Sequence, residues 1–198
     1  MLLRLTHIEA LLGLVVAAAA APYETFNLYA YGTGIGGLAV FAQGNMAYIG
    51  DEAYMKRLNG SDAALVKFTA ARDSSVWNAS SNQTAVAAPF SNATLFVPRQ
   101  GSPSSQVGFS NNTAADGSVS SDGFTFYGDV AMHVNSTGHW ETHWCAEATD
   151  SKDVWSLHWD PRATSSSGNR VLLELKATGP AANATGPVPP TVPAGKTT

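Results

Sequence analysis

The sequence predicts an all-β protein, an antiparallel β-sandwich of jelly-roll type with about nine short strands. Three observations carry this reading. Long stretches of 3.6-residue apolar periodicity are missing, short aromatic and β-branched runs recur, and glycine-containing pairs stand between several of them. No crossover helix separates the runs, so antiparallel neighbours are expected.

In chain order, Tyr23 to Tyr31 is rich in aromatics and stops at a glycine cluster. Leu38 to Gln43 and Met46 to Gly50 flank Gly44-Asn45, a pair suited to a two-residue hairpin loop. Asp51 to Leu58 suits a short helix capped by Asp51. Leu65 to Thr69 and Thr94 to Val97 are short and β-branched or aromatic. Phe124 to Tyr127 and Val130 to Val134 flank Gly128-Asp129, a second hairpin signal. The Asn135 to Gly138 stretch turns the chain into His139 to Ala146, and Val154 to Trp159 and Val171 to Ala177 follow. Alternation puts Trp155, Leu157 and Trp159 on one face and Ser156, His158 and Asp160 on the other, as a sheet with one wet face requires. The Ser-, Asn- and Gly-rich segments 74–92 and 99–122 read as exposed loops.

The ends differ from this middle. Residues 1–21 have the layout of a secretory signal peptide: Arg4, an apolar run from Ala10, and small residues at Ala18 to Ala21 that suit cleavage. That run is too short to span a bilayer. Residues 178–198 mix Pro, Thr, Ala and Gly with almost no bulky apolar side chain and read as a disordered tail. The β-sandwich domain is therefore expected over residues 22–177. No hydrophobic stretch follows the tail, so the expectation is a protein released or held non-covalently at the cell wall or in the extracellular space.

Composition supports export. N-x-S/T triplets begin at Asn59, Asn78, Asn82, Asn92, Asn111, Asn135 and Asn183, seven in a chain whose 11 Asn and 36 Ser plus Thr would give about two by chance. Glycans would keep soluble a chain with only 13% charged residues, against a usual fraction of about 25%. The net charge of −4 and the lack of basic runs argue against nucleic acid and anionic membranes. A single cysteine excludes a disulfide scaffold and multi-cysteine zinc modules.

Several constellations invite a functional reading. Gly32 to Gly37 satisfies G-x-G-x-x-G, but the following residues read as a hairpin and not as the helix a dinucleotide needs, so a glycine-rich connection is expected and no cofactor. His139, Glu141, His143 and Cys145 would share one face of a strand, and all are metal-ligand types. At about 3.3 Å per residue the outer members lie too far apart to share one ion, so no metal is expected and Cys145 reads as an unpaired, partly buried thiol. Glu141, Glu147, Asp150, Asp153 and Asp160 offer carboxylates without a spacing that defines a catalytic pair, and no nucleophile elbow is present. Trp140 and Trp144 are the candidate glycan-binding residues, since exposed indoles stack on sugar rings.

The segments Phe26 to Gly32, Gly34 to Leu38 and Ala47 to Asp51, with Gly123 to Gly128 and Val154 to Trp159, resemble uncharacterised small secreted proteins of filamentous ascomycete fungi. The resemblance covers much of residues 24–177 and implies a cell-wall or matrix association; it brings no catalytic residue. The expectation is thus a secreted, N-glycosylated, non-catalytic protein of the fungal cell surface or extracellular space that binds a polysaccharide or host surface. The alternative is a polysaccharide-active enzyme on the same scaffold.

Overall fold

The computed structural model describes residues 25–51, 54, 63–82, 91–112 and 117–180. These residues form fifteen strands, all paired antiparallel, and Tyr54, within the expected 51–58 helix, is helical. The strands are β1 (Thr25–Phe26), β2 (Tyr29–Gly32), β3 (Ile35–Gln43), β4 (Met46–Gly50), β5 (Ala64–Ala70), β6 (Trp77–Ser81), β7 (Ala93–Pro98), β8 (Gly108–Ser110), β9 (Val119–Ser120), β10 (Phe124–Tyr127), β11 (Val130–Val134), β12 (Trp140–Glu141), β13 (Trp144–Ala148), β14 (Val154–Trp159) and β15 (Arg170–Lys176). The signal-peptide segment, most of the expected 51–58 helix, Asn59, Asn183 and residues 181–198 lie outside the described residues.

The all-β, antiparallel expectation holds, but the nine-strand sandwich does not. The sheet closes into a barrel of ten strands in the order β15-β13-β14-β4-β8-β7-β6-β5-β3-β2, and β2 returns to β15. Closure depends on the β3–β4 hairpin. Along one edge β3 pairs first with β2 (Tyr29↔Ala39) and then with β5 (Phe41↔Leu65), while β4 takes its other edge. In the same way β4 gives its far edge to β14 (Trp155↔Ile49) and then to β8 (Met46↔Gly108). Each hairpin strand therefore serves two neighbours, and the ring has no free edge that another chain could pair with. Such sharing depends on register between distant strands and leaves no mark on strand composition.

The hairpin loops follow the glycine signals. Gly44, with Asn45, links β3 to β4 at a φ of 59°, and Gly128 links β10 to β11 at 62°, values that cost glycine little. The G-x-G-x-x-G run spans the β2–β3 turn, the glycine-rich connection expected there.

Segments 74–92 and 99–122 are not simply loops: β6 lies in the first, and β8 and β9 in the second. Polar composition hid them, yet Trp77 and Ala79 of β6 alternate inward, and Phe109 of β8 is buried. The main core fills the barrel with Phe26, Phe68, Trp77, Phe124, Trp144, Trp159 and aliphatic residues of most strands. Phe26, Trp77 and Phe126 pack as an aromatic knot with ring centroids 4.7–5.0 Å apart. A second small cluster of Phe41, Ala63 and Val154 covers the outer face of the β3–β4 hairpin, which is thus buried on both sides. The start of the tail is tied down: the Tyr31 hydroxyl donates to the Thr178 carbonyl at 3.0 Å.

Candidate functional site

At one end of the barrel, β7, β9, β11, β12 and β14 rim a groove of about 720 Å³, within the ordinary size of ligand pockets. Arg99, Ser120, Asp122, His133, Asn135, Glu141 and Trp159 line it. The register explains the gathering: His133 on β11 pairs across to Phe124 on one side and Glu141 on the other, so all three point the same way. The His133 ring meets Phe124 and Trp159 edge-on, with centroids 5.5 and 5.4 Å apart. It is only 7% exposed, and neither ring nitrogen makes a hydrogen bond of ordinary geometry, although the Asp122 backbone lies close enough to act on the ring. Burial lowers its pKa, against the opposing pulls of the Glu141 carboxylate and of Asp122, and so favours the neutral imidazole.

The carboxylates are held in place. The Ser120 hydroxyl donates to Asp122 Oδ1 at 3.1 Å, and Asn135 Nδ2 donates to Glu141 Oε1 at 2.5 Å. Asn135 Oδ1 meanwhile accepts from the Thr137 N–H, the Thr137 hydroxyl and the His139 N–H, which locks the turn between β11 and β12.

The 139–145 segment departs from the expectation of one continuous strand. Strand β12 ends at Glu141 and β13 begins at Trp144, with Thr142 and His143 between them outside either ladder. This break slips the alternation by one, so Glu141 and Trp144, of opposite parity, both turn inward. Trp144 is 1% exposed, packs edge-on to Trp159 at 4.8 Å, and donates its Nε1–H to the Ala131 carbonyl at 2.8 Å. It is a core residue and cannot stack on a sugar, which corrects its candidacy. It also shares its contact with Trp159 with His143, whose ring lies 5.1 Å from that indole, so the two are not on opposite faces.

Trp140, by contrast, is 53% exposed, and beside it stands Tyr127 at 71%; their rings meet at right angles with centroids 6.2 Å apart. Among the described residues these are the exposed large apolar side chains. Sequence reasoning missed Tyr127, which lies at the loop end of β10; its position next to the Gly128 hairpin was the available signal.

Of the four metal-ligand types of this segment, Glu141 and His143 stay near each other, 3.9 Å apart, and the others part from them. His139 sits in the turn, bonded to the Thr137 hydroxyl at 2.9 Å; Glu141 enters the groove; and Cys145 is fully buried. Among the described residues no three His, Cys, Asp or Glu side chains converge as a metal would require.

The predicted wet face of β14 is covered instead. His158 and Asp160 are buried beneath residues 102–106 and the 160–167 turn. Ser105 Oγ and Ser156 Oγ each lie 2.9 Å from a ring nitrogen of His158. Arg170 on β15 joins two carboxylates: it donates to Asp160 Oδ2 at 2.6 Å and, through two nitrogens, to Glu147 Oε1. Burial pushes the Asp160 carboxyl upward, but the Arg162 N–H and the Arg170 and Arg162 side chains outweigh it, and the net shift is downward. Burial lowers the pKa of His158 and raises that of Cys145 to about 11. With its hydrogen-bond partners internal, this cluster reads as a structural network.

Of the described sequon asparagines, Asn78, Asn82, Asn92 and Asn111 are exposed, whereas Asn135 is half-buried. Asn78 lies within β6, pointing outward, and not at a strand end. No helix among the described residues is long and apolar enough to cross a membrane. Comparison with known proteins gives no matching family, no curated relative and no matching solved structure.

Proposed function

We propose that this chain is a secreted, N-glycosylated, non-catalytic protein of the fungal cell surface or extracellular space, and that it binds polysaccharide through Tyr127 and Trp140. The observation that carries the reading is the pairing of two large aromatic side chains in solvent, where the other described large apolar groups are buried or half-buried. Their perpendicular rings form a corner in which a pyranose stacked on one ring meets the other with its edge. The leader-like residues 1–21, the seven sequons and the resemblance to small secreted fungal proteins support the extracellular setting.

Co-sedimentation of the secreted protein with insoluble wall polysaccharides tests it. Binding should occur and should fall at least tenfold in Trp140→Ala and Tyr127→Ala; undiminished binding in both variants refutes the assignment. A second reading, a polysaccharide-active enzyme, draws on Asp122 and Glu141 lining one groove. Reducing-sugar release in the same tubes, abolished by Glu141→Gln, would favour it.

A further inference from the structure

We propose that the groove at the barrel end is a second carbohydrate site, suited to a neutral sugar, with His133 as its buried hydrogen-bonding floor. The proposal rests on the glycan-binding reading above but uses a different surface from Tyr127 and Trp140.

The first argument is the state of His133. Buried polar groups are paired as a rule, and an unpaired one asks for an explanation. Here a ring that is 93% covered, with the Asp122 backbone near it, keeps both nitrogens without a well-formed protein hydrogen bond while it lines an open groove. Next to it the chain carries Gly123 at a φ of 85°, and a Cβ there would lie 3.1 Å from His133 Nε2. Glycine thus stands where any larger residue would press on that edge of the ring and on the Val134 carbonyl. A neutral imidazole offers one donor and one acceptor, the pairing that a sugar hydroxyl satisfies.

The second argument is how the carboxylates are fixed. Ser120 holds Asp122 by Oδ1 and Asn135 holds Glu141 by Oε1. The other oxygen of Glu141 lies 3.9 Å from His143 Nε2, beyond hydrogen-bond reach. Each carboxylate is oriented by one oxygen and can accept from a ligand with the other. Such preorganisation reduces the ordering that binding requires.

Charge selects the ligand class. The groove carries two carboxylates against the single cation of Arg99, whose Nε already donates to the Val119 carbonyl at 2.9 Å. A net negative lining rejects phosphate, sulfate and uronate groups, and its surplus of acceptors suits the hydroxyl donors of an uncharged sugar.

The test follows the imidazole signals of the full secreted protein by NMR, with His133 assigned by its loss in His133→Gln. The probes are the methyl glycosides of glucose, mannose, galactose and N-acetylglucosamine, with inorganic phosphate and glucuronate as anionic counterparts. The expected result is a saturable shift of the His133 signal with at least one neutral glycoside, weakened at least tenfold in Asp122→Asn and Glu141→Gln, and no shift with the anions. Absence of any saturable shift, a response to the anions alone, or unchanged affinity in both carboxylate variants overturns the proposal. Polysaccharide co-sedimentation separates the two readings. Retention that depends on Trp140 beside a silent groove removes only this inference; a titrating groove in a protein that retains no polysaccharide removes only the earlier one.

Discussion

Replacing Trp144 and Trp140 one at a time separates core from surface. The Trp144 indole is 1% exposed, meets Trp159 edge-on at 4.8 Å and donates to the Ala131 carbonyl at 2.8 Å. Truncation to alanine removes a buried aromatic, which costs about 3–5 kcal/mol. The orphaned carbonyl places this case toward the upper end of that range. Trp144→Phe keeps most of the apolar area and removes only the donor and one ring, so about 1–3 kcal/mol is expected. Trp140 is 53% exposed, and its alanine variant forfeits little beyond the edge contact with Tyr127, about 1 kcal/mol or less. Against a total stability of roughly 5–15 kcal/mol, the first change leaves a marginal protein and the last a normal one. Urea titration followed by circular dichroism reads the three midpoints. A Trp144→Ala midpoint equal to the parent's, or a Trp140→Ala loss as large as that of Trp144→Ala, refutes the assignment of these two residues.

Three further outcomes are expected. Arg170→Ala strands the Glu147 carboxylate and leaves Asp160 to Arg162 alone, and should cost about 3 kcal/mol by thermal or urea unfolding at neutral pH; a loss under about 0.5 kcal/mol would show that the network contributes nothing. His133 and His158 both have folded-state pKa values below the ordinary 6.5, chiefly through burial, so the unfolded chain binds more protons as pH falls through that value. Stability should be level above pH 6.5 and then decline, by at most about 1.4 kcal/mol per pH unit for each histidine, until the folded values are passed. His158→Gln should reduce that slope, and a flat urea midpoint between pH 7 and pH 5 contradicts the reasoning. Cys145 is fully buried with its thiol pushed up to about 11, so iodoacetamide at pH 8 should alkylate it only after denaturation; rapid labelling of the native protein, followed by mass spectrometry, would overturn its placement.

Local signals proved legible where they were local in origin. The Gly44-Asn45 and Gly128-Asp129 pairs announced their hairpins because a tight turn needs a residue tolerant of positive φ. The alternation of Trp155, Leu157 and Trp159 announced an inward face because side chains on a strand have a period of two. Polar runs were harder: β6 went unseen in a Ser- and Asn-rich stretch although Trp77 anchors it in the core. The segment 139–145 misled for a different reason. Its alternation is regular in sequence, and only the break at Thr142 and His143 turns Trp144 inward while Trp140 stays in solvent.

By itself the sequence determined the strand-rich character, the turns, the sequons and the leader-like start, each of which is written in neighbouring residues. Tertiary structure decided the rest. Whether strands stack as a sandwich or close as a ring depends on which distant edges β3 and β4 share, and a strand carries no record of its neighbours. The groove joins Arg99, Asp122, His133, Glu141 and Trp159 from segments up to sixty residues apart. No spacing rule links such residues, because they meet only after the barrel has closed and the cross-strand register has set His133 opposite Glu141.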